Sequence, residues 1–106
     1  MNKQTILTAD EVFACISALE TLMESDNANV AGIYIDPDVK QTLCQSAIKK
    51  LEAYHPLTYF SKKEYTMISF ALAYISDISI SANISDEFLL DIYSASDKIY
   101  ILAGEP

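Results

Sequence analysis

A chain of 106 residues has room for one hydrophobic core, and 51% hydrophobic residues are enough to fill it. Two glycines and three prolines are too few for the turns of a sandwich or barrel, and they leave no glycine-rich loop to hold a phosphate. The net charge of −8, with every basic residue a lysine, opposes a nucleic-acid backbone and removes the arginine fork that reads phosphate and guanine.

The opening "MNKQTILTADEVFACISA" meets Asp10 and Glu11 before any long apolar run, unlike a secretory signal. The most apolar stretch, residues 65–80, is broken by Ser69, Ser76 and Asp77 and falls short of a membrane span. A cytoplasmic protein with no membrane partner is expected.

Taken in chain order, the first helix is announced by Thr8-Ala9-Asp10-Glu11, a capping box with Leu7 and Val12 placed as its hydrophobic staple. It is predicted over about 9–25, with Val12, Cys15, Ile16, Leu19, Leu22 and Met23 at helical spacing. In the connection that follows, Ile33-Tyr34-Ile35 is the one strand-like run, which predicts a short extended segment at 31–35. That segment either plugs a groove of the bundle or pairs with the edge of another chain. Asp36-Pro37 opens the second helix, predicted over about 37–55. Its inner stripe reads Val39, Leu43, Ala47, Leu51 and Tyr54, with Lys40 outside and Pro56 as the stop. Ser61-Lys62-Lys63-Glu64 is a second capping box, stapled by Phe60 and Tyr65, for a third helix over about 62–80. Ser85, with Asp86 and Glu87 behind it, caps a fourth over about 86–103, with Phe88, Ile92, Ala95, Ile99 and Leu102 inward.

Short connections between four such helices predict an all-α, up-down-up-down four-helix bundle, two αα-hairpins in a single domain over 1–106. Helices 1 and 3 align at one constant spacing, Thr8 with Ser61, Glu11 with Glu64, Leu19 with Leu72. Helices 2 and 4 match poorly. The likeness is therefore read as two capped amphipathic helices resembling each other for physical reasons rather than as a duplicated hairpin.

Helix 3 is apolar around most of its circumference: Tyr65, Ile68, Leu72 and Ile75 form one row, and Met67, Phe70, Ala71, Tyr74 and Ile78 another. Helix 4 adds Leu89, Tyr93, Tyr100 and Ile101 outside its stripe. Three coverings compete: the 1–2 connection, a second copy of the chain, and a different protein. The residues expected at an interface are Met67, Phe70, Tyr74, Ile78, Leu89, Tyr93 and Tyr100.

One end of such a bundle gathers Glu24, Asp26, Asp36, Asp38, Asp77, Asp86 and Glu87 into an acidic pole, opposed mainly by Lys40. The other end gathers Lys49, Lys50, His55, Lys62 and Lys63, offset by Asp10, Glu11 and Glu105. No chemistry is expected at either. After Asp26, Ala28 and Val30 break the oxygen-ligand alternation of a calcium loop. Cys15 and Cys44 sit in apolar patterns as small buried hydrophobes, and with one histidine they cannot complete a zinc site. No nucleophile lies in a readable catalytic spacing.

The reading is a small acidic, non-enzymatic protein-binding module with no cofactor, no metal and no nucleic-acid partner, self-associating through helices 3 and 4 as a homodimer. The alternative is an antitoxin- or immunity-type role, neutralising a basic protein partner through the acidic pole.

Overall fold

The structure, a computed structural model, describes residues 5–25, 29–30 and 33–104. It is an up-down-up-down bundle of four helices with one short hairpin.

Each helix begins where the sequence supplies a cap. For α1 (Ala9–Glu24), Thr8 Oγ1 accepts the Glu11 N–H at 3.2 Å and Glu11 Oε1 accepts the Thr8 N–H at 2.7 Å. The Asp36 carboxylate accepts the N–H groups of Asp38 and Val39 and starts α2 (Pro37–Glu52). The same reciprocal pair as at α1 joins Ser61 and Glu64 at the head of α3 (Lys62–Asp77). Ser85 Oγ accepts the Phe88 N–H to open α4 (Asp86–Gly104).

Two helices stop earlier than their hydrophobic pattern predicts, α2 at Glu52 and α3 at Asp77. Pro56 biases His55 away from helical angles. The chain then turns on itself, with Thr58 Oγ1 accepting the His55 N–H and His55 Nδ1 accepting the Leu57 N–H. Beyond α3, Asn83 takes a φ of 58°, a left-handed conformation that asparagine tolerates. The Ile84 N–H returns to the Ser79 carbonyl and the Asn83 N–H to the Ile80 carbonyl, a Schellman pair that ends the helical turn there.

Cross-sections of four-helix bundles are often square, but this one is a rhombus. α1 packs on α2, α3 and α4; α3 packs on α1, α2 and α4; α2 and α4 do not meet. Ala14 and Ala18 on α1 and Ala71 on α3 are wholly buried, small side chains that let two helix axes approach. The Tyr74 hydroxyl lies 3.1 Å from Ser25 Oγ, which brings the far ends of α1 and α3 together and makes those two helices parallel.

The 31–35 segment resolves into part of a hairpin. β1 (Asn29–Val30) and β2 (Ile33–Tyr34) pair antiparallel, Asn29 opposite Tyr34 and Val30 opposite Ile33, and β1 lies against α3. The strand therefore finds its partner within its own chain, and Ile35 after it is buried. Residues 31 and 32 lie outside the described residues.

Two expectations are corrected, and the covering of helix 3, left open between three candidates, is supplied by its own chain: three helices and β1 surround it. Of the residues expected at an interface, Met67 is core, Phe70, Tyr74 and Leu89 pack against the core, and Ile78 is half-buried. On α2 the expected stripe holds at Leu43, Ala47, Leu51 and Tyr54 but fails at its first turn, where Lys40 is buried and Val39 is half exposed. Lys40 turns inward, where its ammonium donates to the Ser25 carbonyl at the C-terminal end of α1 at 2.7 Å. Finally, α2 and α4 do correspond. Cys44, Ala47 and Leu51 occupy the buried positions that Ile92, Ala95 and Ile99 occupy on α4, at one constant spacing. That spacing is shorter than the one relating α1 to α3, since the α1–α2 connection is the longer of the two hairpin loops.

Candidate functional site

The correspondence between the halves extends to polar chemistry. Glu11 Oε1 accepts from the Thr8 N–H and from Lys98 Nζ (2.7 Å), while its Oε2 accepts from the Ser94 hydroxyl. Glu64 Oε1 accepts from the Ser61 N–H and from Lys50 Nζ (2.7 Å), while its Oε2 accepts from the Ser46 hydroxyl at 2.6 Å. In each half a capping-box glutamate is thus gripped by a serine and a lysine one helical turn apart on the flanking helix, α4 for α1 and α2 for α3. Lys98 also donates to the Ile6 carbonyl, and Lys50 to that of Tyr59 while standing 5.8 Å from the Phe60 ring centre.

Both glutamates are buried. Burial opposes their ionisation, but the lysine, serine and cap hydrogen bonds outweigh it and hold each carboxyl down at about 2. A serine, a lysine and a glutamate in contact invite comparison with a catalytic set. The direction of the bonds is wrong for it: each serine donates to a carboxylate too weak to take its proton, and each lysine is committed to the same carboxylate. These clusters lock helix to helix.

Other reactive groups are equally constrained. Burial pushes the Cys15 thiol up to about 12 and the Cys44 thiol up to about 11, and both are free and enclosed. His55 spends Nδ1 on its own turn. Among the described residues no three His, Cys, Asp or Glu side chains stand close enough to share a metal ion, and no helix is long and apolar enough to cross a membrane. A groove of about 450 Å³ lies between α1 and α2, with Met23 and Ile48 among its lining and Glu20, Glu24, Glu52 and Lys49 around them. It is open and holds no buried polar group aimed into it.

Charge is divided across the bundle. α1 and α4 together carry eight carboxylates and a single lysine, the engaged Lys98, whereas α2 and α3 carry four carboxylates and five lysines. The acidic pole is present as exposed side chains at Glu24, Asp36, Asp38, Asp86 and Glu87; Asp26 lies outside the described residues. Asp36 already serves as a helix cap, and Lys40, expected to oppose the pole from outside, is buried.

Phe13, Tyr34, Leu57, Tyr59 and Ile80 are exposed on other elements and loops, whereas the outer side of α4 gathers several exposed apolar side chains on one helix. Leu90 is 66% exposed, Tyr93 50%, Tyr100 81% and Ile101 49%, and Asp97 stands exposed among them. Tyr93 and Tyr100 are the expected interface residues that remain at the surface; Leu90 is one that sequence reasoning missed. The counterparts on α2 are Thr42, Gln45, Lys49 and Glu52, with Ala53 just beyond its end, all exposed. The two helices flank the same central pair and make matching locks, so the fold asks the same of both outer sides. One is polar and the other apolar.

No protein-family model matches the chain, and no curated protein or solved structure matches it.

Proposed function

We propose that the protein is a non-enzymatic protein-binding module whose contact face is the outer side of α4. The observation that carries this reading is the contrast between α4 and α2: at equivalent positions α2 has an ordinary solvated surface and α4 has Leu90, Tyr93, Tyr100 and Ile101. Tyrosine and large aliphatic side chains together are what protein contact faces favour, because they combine apolar area with a hydrogen-bonding tip. The locked glutamates and the suppressed thiols support the non-enzymatic half of the reading.

The enclosure of α3 supports α4, rather than α3 and α4 together, as the contact face. Neutralisation of a basic protein, the second reading, draws on the charge division that leaves the α1–α4 side acidic.

The test exchanges α4's outer residues for their α2 counterparts in one variant, Leu90→Thr, Tyr93→Gln, Tyr100→Glu and Ile101→Ala. Because the face contributes nothing to the core, thermal and urea unfolding are expected to stay within about 1 kcal/mol of the parent. A loss of several kcal/mol would show that these side chains serve folding, and the contact-face reading would fail.

A further inference from the structure

The apolar stripe on α4 runs from Leu90 to Ile101, about 17 Å along the helix axis. Acidic side chains stand at its start and within it, at helical spacing. Asp86 and Glu87 stand one turn before Leu90, and Asp97 lies one turn from Tyr93, Tyr100 and Ile101. Among the described residues of α1 and α4 no free cation balances them: Lys98 is held by Glu11 and the Ile6 carbonyl, and α1 alongside has no lysine. α2 carries the opposite character at the matching position, Lys49 where α4 has Asp97.

On the reading that this face is a contact surface, we infer that its occupant is a basic amphipathic helix of another protein. Its apolar strip lies along Leu90, Tyr93, Tyr100 and Ile101, and its lysines or arginines stand beside Asp86, Glu87 and Asp97. Charge decides between the occupants. A second copy meeting this face with its own α4 brings carboxylates against these, in either helix direction, and the only lysine of α4 is committed elsewhere. An anionic lipid surface is repelled for the same reason. A helix of about three turns matches the length of the stripe, and an apolar strip with flanking cations complements both its oil and its charge.

The probe is a designed helical peptide of about four turns, leucine along one side and lysine on its flanks, with a second peptide carrying glutamate in place of every lysine. Each is titrated into the isotopically labelled full-length protein, followed by amide chemical shifts and by calorimetry. The lysine peptide is expected to move the signals of Leu90, Tyr93, Asp97, Tyr100 and Ile101 while the glutamate peptide leaves them in place. Asp97→Lys, which installs the α2 residue at an exposed site, is expected to weaken binding about tenfold or more with the melting curve unchanged. The milder Asp97→Asn is expected to fall between the two. Raised salt weakens the complex in parallel.

Equal binding of both peptides overturns the basic partner and leaves the contact face standing. Shifts confined to the Asp36 and Asp38 end of the bundle, with α4 silent, overturn both. A concentration-dependent dimer that protects Tyr93 and Tyr100 from exchange overturns the basic partner and identifies the occupant as a second copy.

Discussion

Glu11 and Glu64 each do three things with one carboxylate. They complete a capping box, neutralise a lysine and receive a serine from a neighbouring helix. Carboxyls held near 2 in the folded chain and near 4.5 when it unfolds stabilise the fold while ionised. That contribution is complete above about pH 4.5 and is lost as the pH falls through the folded value, up to about 3 kcal/mol for each group. Acid unfolding is therefore expected to steepen between about pH 4.5 and pH 2, followed by circular dichroism. Glu11→Gln or Glu64→Gln should flatten that limb and lower stability near neutral pH by about 1–3 kcal/mol, since each leaves a lysine without its counter-charge. The two locks share no residue, so the double variant is expected to show the sum of the single effects, within about 0.5 kcal/mol.

Among the elements, α1 and α3 hold the centre and α2 and α4 lean against them. Close packing at the α1–α3 contact rests on alanines, and small side chains there leave no spare volume. Ala71→Leu is expected to cost about 1–3 kcal/mol in urea unfolding by overpacking, whereas Ala73→Leu, exposed on the same helix, should change stability by under about 0.5 kcal/mol. The sequence gives helix 3 its broad apolar circumference, and the rhombic arrangement explains it. A helix in the middle of a bundle needs apolar residues on every side that meets a neighbour, and here even the α1–α2 connection contributes β1 to the cover. α4 has no such excuse. Its outer apolar residues face no element of the fold, which is why they, and not those of α3, carry the functional reading.

At the scale of the molecule, the locks and caps tie both halves into one cooperative unit. The first hairpin's α1 is gripped from α4 and the second hairpin's α3 from α2, so the two hairpins cannot part without releasing both buried carboxylates. Leu7 adds a strap from the chain's start, its N–H donating to the Tyr54 hydroxyl at 3.1 Å. Cys15 and Cys44 report on this unit, because both lie in the shared core with thiols pushed well above the ordinary range. A thiol reagent at neutral pH is expected to leave both unmodified in the native protein. Their labelling should follow global unfolding, with one common rate across increasing urea. Fast labelling of either cysteine without unfolding would show a local opening that this packing does not provide.

The sequence alone determined where the helices begin, because caps are local. Thr8 with Glu11, Asp36 with Pro37, Ser61 with Glu64, and Ser85 each meet their partners within one helical turn. It also determined the all-α class and the up-down order, since short connections leave few alternatives. The likeness of α1 to α3 was visible in the same way, while that of α2 to α4 was hidden by unequal loops. What only the tertiary structure decided are the contacts between residues far apart in the chain. Lys40 meets a carbonyl at the end of another helix, and Lys98 reaches Glu11 across most of the chain's length. Helix 3 is covered by its neighbours, while Leu90, Tyr93, Tyr100 and Ile101 stay exposed along one side of α4. Helical periodicity records how much of a helix avoids water, whereas the neighbour that keeps the water away is fixed by the packing of all four helices together.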